Sequence, residues 1–212
     1  MSEHIDLKTI EKNVLKTAHQ HGFFDMIIGF VVAGMAFGPI FRESLPSPYK
    51  YFLWPLILII IANILIFTVV KYIIQPRMGF VKPGPTLRSI RKKILVVVLI
   101  HFILLLVIFI LPFIGIGSGI QVGGIIFILL IGLFFMPIFI IIAYLLKYPR
   151  LYLIGMLIWI AIFINELFYT STDYRIRWLF SFGVIGSIIF FMGLVIFVRF
   201  LKKYPLLKKE MQ

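Results

Sequence analysis

KYIIQPRMGFVKPGPTLRSIRKK, residues 71–93, is the one long polar and basic interruption in a chain that is otherwise mostly apolar. It holds seven Lys or Arg residues (Lys71, Arg77, Lys82, Arg88, Arg91, Lys92 and Lys93) and no acid. Three prolines, Pro76, Pro83 and Pro85, and two glycines, Gly79 and Gly84, punctuate it. Apolar runs flank it on both sides. Cations between lipid-soluble runs orient a chain in a bilayer, so this stretch decides the fold.

The composition agrees. Of 212 residues, 62% are hydrophobic and 14% charged, and the mean hydropathy is +1.11. Soluble domains carry about 45–50% apolar and about 25% charged residues. The excess apolar surface finds its natural solvent in a bilayer. A net charge of +13 in a soluble protein would point to nucleic acid. Here the cations lie between apolar spans, so no nucleic-acid partner is expected. There is no cysteine, which removes disulfides, thiol catalysis, iron–sulfur clusters and cysteine zinc sites together. The mixed-charge start MSEHIDLKTIEKNVLK lacks a signal-peptide core, and an unprocessed chain is expected.

Working outward, residues 1–22 form a leader. Within it, 6–20 read as an amphipathic helix, with Leu7, Ile10, Val14 and Ala18 on one stripe and Asp6 as N-cap. This helix either lies in the cytoplasmic interface with its lysines toward anionic headgroups or stays solvated. A bilayer core needs roughly 20 apolar residues per helix. The apolar runs therefore predict six spans, at about 23–41, 51–74, 94–114, 122–146, 151–170 and 178–201. The run 94–146 divides at Pro112 and the glycine-rich Gly115–Gly119, and the next boundary is Lys147-Tyr-Pro-Arg150. The expected fold class is an all-α, polytopic transmembrane bundle spanning 23–201, followed by a basic tail, 202–212. With the amino terminus inside, only Arg42, Lys50, Arg175 and Arg177 of the 21 basic residues fall outside. Both termini are thus expected to be cytoplasmic.

Three inner span ends share Tyr, cations and Pro: Lys71–Arg77, Tyr144–Arg150 and Arg199–Pro205. A threefold hairpin repeat would produce this. So would the collection of Tyr and Lys at membrane interfaces, where Pro also stops helices. The interface reading is preferred, because nothing else in the hairpins aligns.

Polar groups inside spans are costly and are functional candidates by default. Asn63 lies mid-way along the second span and reads first as an interhelical hydrogen-bond link. His101 lies about two turns into the third. It reads as a proton relay or, more commonly, as a neutral imidazole bonded to a neighbour. Asn63 and His101 would line one polar track only if both face the bundle interior. Asp25, at the inner edge of the first span, is expected to pair with Arg77 or another cation of the basic stretch. His19, His21 and Asp25 offer at most three ligands, and no metal site is expected. Asn165 and Glu166 lie near the outer end of the fifth span. Glu166 is expected to pair with Arg175 or Arg177, or else to mark a cation or proton entrance. Gly34-x-x-x-Gly38 and the glycines at 183, 186 and 193 suggest tight packing or self-association. No phosphate loop, HExxH helix or GxSxG elbow is present, so no catalytic residue and no cofactor is expected.

The basic loop, with Arg77, Lys82, Arg88, Arg91, Lys92 and Lys93, is expected to hold anionic lipid headgroups or dock a protein partner, beyond simple anchoring. Charge alone does not account for the turn made by Pro76, Gly79, Phe80, Pro83, Gly84 and Pro85. Pro76-Arg-Met-Gly-Phe-Val-Lys82, after the second span, resembles a segment of a group of small uncharacterised prokaryotic multi-span membrane proteins. Gly22-Phe-Phe-Asp25, followed by Gly29, is similar to theirs too. The resemblance covers roughly the first 90 residues and implies a fold but no activity. The leading expectation is therefore a non-enzymatic component of a prokaryotic cytoplasmic membrane: a scaffold, accessory subunit or lipid-interacting protein, with a protein partner or a second copy as further company. The alternative is a small transporter or channel subunit, such as the membrane part of an ABC-type exporter. An intramembrane enzyme ranks third.

Overall fold

The computed structural model describes residues 21–44, 53–78, 85–110, 125–168 and 172–205. The leader helix at 6–20, the glycine-rich turn at 115–119 and most of the basic tail lie outside the described residues. Every regular element among those described is helical. In chain order they are α1 (Phe23–Met35), α2 (Gly38–Ser44) and α3 (Leu53–Val69). The last runs through a π-helical turn, Val70–Ile74, into α4 (Gln75–Met78). Then come α5 (Pro85–Ile110), α6 (Ile125–Leu146) and α7 (Arg150–Leu167). The last rod is α8 (Tyr174–Trp178), a π-helical turn at Leu179–Val184 and α9 (Ile185–Lys203). Three described helices are long and apolar enough to cross a membrane: Leu53–Arg77, Arg150–Leu167 and Tyr174–Lys203. Phe23–Met35 and Phe134–Leu146 are shorter apolar helices. This is an all-α membrane protein.

Described helices overlap each of the six expected ranges, three of them with the length and hydropathy of a membrane span, and the differences in their ends have local causes. The first is broken, with α1 ending at Met35 and α2 restarting at Gly38. Pro39 explains the break, because its ring would strike the Met35 carbonyl and it has no N–H to donate. The intervening turn closes through Ala36 N–H to Ala33 O and Phe37 N–H to Gly34 O, both 3.1 Å. Pro76 acts differently. The helix widens before it, and Gln75 N–H reaches back to Val70 O. Widening accommodates the proline without ending the helix. The basic stretch is accordingly not a loop through most of its length. Lys71–Met78 is helical, and Pro85 opens α5, so Arg88, Arg91, Lys92 and Lys93 ride on the first turns of a helix. Proline suits a first helical position, and Lys and Arg are good helix formers. Gly79, Phe80, Lys82, Pro83 and Gly84, the middle of the expected turn, lie outside the described residues.

The described chain forms two compact units. One holds residues 21–78 and 160–205, the other residues 85–159. In the first, α1 runs antiparallel to α9 with their backbones in contact. The pairing keeps one register: Ala36 with Gly183, Ala33 with Gly186, Gly29 with Phe190, Met26 with Gly193 and Gly22 with Ile196. A Cβ on Gly29 or Gly186 would land on the opposing backbone. Small residues at three- and four-residue spacing allow this approach, and van der Waals packing drives association where lipid weakens the hydrophobic effect. Larger side chains fill one end, where Phe23, Ile27, Ala62, Ile74, Phe197 and Phe200 form a buried cluster. Gly34 and Gly38 instead make a slot for Trp54 of α3. Gly34 faces Leu58, Trp54 Nε1 donates to Gly34 O at 2.9 Å, and Phe41 stacks on the indole at 3.9 Å.

In the second unit, α6 and the start of α7 form a hairpin in which Gly155 abuts Phe139 and Gly132 abuts Trp159. The connecting turn is a Schellman motif. Tyr148 N–H donates to Ala143 O at 2.9 Å and Lys147 N–H to Tyr144 O at 3.3 Å. Lys147 holds the left-handed position at φ 52°. Pro149 then blocks continuation of α6.

Candidate functional site

The residues that the sequence singled out gather most densely at the basic end of the first unit. Gly22 opens α1 at φ 71°, with Gly193 O 2.6 Å from where a Cβ would stand. The chain can turn into the helix there only as glycine. His21 turns back over the helix start, and its Nδ1 accepts the Phe23 N–H at 3.1 Å. That satisfies one of the donors a helix start leaves open, and it keeps the proton off Nδ1. The imidazole is buried and lies edge-on to Phe200, with ring centroids 5.8 Å apart. Asp25, fully buried in the first turn of α1, has its Cβ against Gly193. The positive end of the helix dipole favours a carboxylate there.

Arg77 does not make the expected pair with Asp25. Its Nη1 donates to Leu201 O at 3.2 Å and to Tyr204 O at 2.7 Å. These carbonyls belong to the end of α9, where the last turn leaves acceptors open and the dipole favours a cation. The Gly22–Asp25 motif, with His21 before it, and the Pro76–Arg77 motif therefore both contact the later half of α9, His21 and Gly22 at Gly193, Ile196 and Phe200 and Arg77 at Leu201 O and Tyr204 O. Around the α9 terminus Lys71, Arg199, Lys202 and Lys203 are exposed. Lys71 Nζ lies 5.4 Å from the Phe67 ring centre and 5.3 Å from that of Tyr72, and Lys203 Nζ lies 5.5 Å from Tyr204. Cations over aromatic rings at the end of apolar helices match the side-chain chemistry of a membrane–water boundary.

The remaining candidates scatter. Asn63 is exposed, on the side of α3 away from the buried Leu58 and Ala62, and its Nδ2 donates to Ile59 O of its own helix at 2.8 Å. Asn63 and His101 lie in different units. In the second unit His101 packs against Phe134 at 4.1 Å and Phe135 at 5.7 Å, and its Nε2 is buried without a hydrogen-bond partner among the described residues. Arg88, Arg91, Lys92 and Lys93 are exposed on α5. Asn165 Nδ2 donates to Ser181 Oγ at 3.1 Å, and that hydroxyl donates to Arg177 O at 2.8 Å. Glu166 is half-buried near the end of α7 and is not paired with Arg175. Arg175 forks onto Glu43 instead, with Nε to Oε1 at 3.1 Å and Nη2 to Oε2. Glu43 at the end of α2 meets the guanidinium in the bidentate geometry that Arg prefers. The described residues contain no group of three or more potential metal-ligating side chains.

Sequence reasoning missed His21 as a helix cap, Tyr204 as an Arg77 acceptor and Ser181 as a buried polar residue. A histidine just before the glycine that opens a span was the available signal for the first. A lone serine in an apolar run was the signal for the third. The second is a backbone contact between residues far apart in sequence and has no signature. Comparison with protein-family models, with curated proteins and with solved structures gave no match. The functional reading therefore rests on geometry.

Proposed function

We propose that this chain is a non-enzymatic integral membrane protein, a scaffold or accessory component that binds anionic lipid headgroups through a basic face. The observation that carries this reading is a group of exposed cations at helix ends in each of the two units. Lys71, Arg199, Lys202 and Lys203 surround the α9 terminus, and Arg88, Arg91, Lys92 and Lys93 line the start of α5. Each Lys or Arg near a membrane surface contributes about 1 kcal/mol toward anionic lipid. The topology that puts these cations to use has six spans with both termini in the cytoplasm of a prokaryotic cell, by the distribution of basic residues. Membership in the group with the PR-x-G-[FY]-V-K segment is part of the same proposal.

The test is lipid retention. Purified protein in mixed phosphatidylcholine and phosphatidylglycerol is delipidated stepwise, and co-purifying lipid is quantified by mass spectrometry. Enrichment of phosphatidylglycerol should vanish when Arg88, Arg91, Lys92 and Lys93 are changed to Gln together with Lys202 and Lys203. Unchanged enrichment leaves the cations as topological anchors only.

A second reading, a small transporter or channel subunit, is favoured by one feature. The buried Ser181 hydroxyl sits in a π-helical turn, linked to Asn165, and such turns often mark functional positions. Under that reading Ser181→Ala abolishes flux in reconstituted vesicles while the fold survives.

A further inference from the structure

We propose that the protein self-associates in the membrane through the exposed face of α3, with Asn63 of two copies hydrogen-bonded to each other. Asn63 sits near the middle of Leu53–Arg77, the helix whose length and composition suit a bilayer crossing. Its side chain is exposed, and the only hydrogen bond found for it among the described residues is the one to Ile59 O. A side-chain amide carries two N–H donors and a carbonyl with two lone pairs. One N–H and the whole carbonyl therefore face outward at a depth where there is no water, and an unsatisfied polar group there costs several kcal/mol. Lipid chains offer neither donor nor acceptor, so the complement has to come from polypeptide.

The chemistry points to a second copy. The complement must hold a donor and an acceptor together near mid-bilayer. Three other polar side chains of the apolar helices are engaged within the chain: Asn165 with Ser181, Ser181 with Arg177 O, and Ser187 with Gly183 O. The His101 Nε2 is buried against other side chains. A second copy related by a twofold axis normal to the membrane brings its own Asn63 to the same depth. Each amide then donates to the other's carbonyl.

The surrounding face fits this. Leu56, Ile60, Asn63 and Phe67 follow at spacings of four, three and four residues, and the three apolar members are 53%, 49% and 66% exposed. That is the seam spacing of two packed helices, and one asparagine within such a seam fixes register and partner number. Opposite this face, Leu58 and Ala62 are buried toward the rest of their unit, so among the described residues of that unit the seam is not the packed face. The inference needs only that α3 crosses a bilayer. It does not depend on lipid binding by the basic face.

Because the chain has no cysteine, single-cysteine variants give an unambiguous readout. The full chain is reconstituted in phosphatidylcholine vesicles and its association followed by single-molecule fluorescence across protein-to-lipid ratios. Wild type should form dimers, and Asn63→Leu should weaken association about 3- to 20-fold. In the bilayer, a lipid-soluble oxidant should cross-link Phe67→Cys but not Phe191→Cys, which is 60% exposed on α9. Asn63→Leu replaces an exposed side chain, and circular dichroism checks that its helix content is kept. A wild type that stays monomeric at every ratio overturns the proposal. So does association equal in wild type and Asn63→Leu, or cross-linking at Phe191 in place of Phe67.

Discussion

Gly22 and Gly193 carry a constraint that no larger residue meets. Gly22 stands at φ 71° with Gly193 O and Ile196 Cβ within 3 Å of the place a Cβ would take. An L side chain pays about 1–2 kcal/mol for the left-handed region alone, and the close contact adds to that. Gly22→Ala should lower the thermal midpoint in detergent and release His21 from its cap, seen as faster amide exchange at Phe23. Gly193→Ala should lower the midpoint as well, since its Cβ would meet Met26 N at 2.5 Å. Lys147 is the reverse case. It occupies the left-handed position of a Schellman turn at φ 52°, where glycine is the usual residue. Lys147→Gly should therefore stabilise the α6–α7 hairpin by about 1 kcal/mol, measured as a rise in unfolding midpoint. A fall would show that the lysine makes a compensating interaction.

At the scale of elements, the α1–α9 pair and the Arg77 clamp govern the first unit. Gly29 and Gly186 let two backbones touch. A leucine at either position has nowhere to go, because backbone cannot move aside as a side chain can. Gly186→Leu should abolish the folded state, with loss of a monodisperse peak on size exclusion. The same change at Gly183, where the nearest atom is the Ala36 methyl at 3.4 Å, should be milder. Arg77 joins the end of the α3–α4 rod to the end of α9 through two carbonyls. Hydrogen bonds to charged groups contribute about 1.5–3 kcal/mol each. Arg77→Met should keep the side-chain bulk, lose this link and fray the last turn of α9, read as faster amide exchange at Tyr204. Protection equal to wild type would mean the α9 carbonyls find other donors. The three Tyr–Pro span ends are alike only in composition. One is a π-widened helix, one a Schellman turn and one an Arg-capped terminus.

For the whole molecule, the expectations concern the bilayer. The proposed six-span arrangement with both termini inside predicts that a single cysteine placed at Lys202 reacts with a membrane-impermeant maleimide only after the cell envelope is opened. One at Asp173 should react in intact spheroplasts. The cysteine-free background makes both readouts clean, and labelling of the two sites from the same side would reverse or break that arrangement.

What the residues alone determined is the solvent and the elements. Composition set the bilayer, and apolar run length set the helices, because both follow from transfer of side chains out of water and from the rise of a helix. The positions of the breaks were also legible, since Pro39, Pro76 and Pro85 act on their own backbone. The outcomes at those breaks were only partly legible. Pro39 ends a helix, Pro76 widens one and Pro85 begins one, so the basic stretch at 71–93 became two helix ends. Only the tertiary structure decided which polar groups meet. Asp25 and Glu166 each had a plausible cation near in sequence or charge. Arg77 took the α9 carbonyls and Arg175 took Glu43. The reason is that charge names many possible partners, whereas packing of α1 against α9 at glycine contact leaves each guanidinium only the partners within its reach. Packing also turned Asn63 outward, since Leu58 and Ala62 fill the face toward the core and one helix cannot bury both sides against one neighbour.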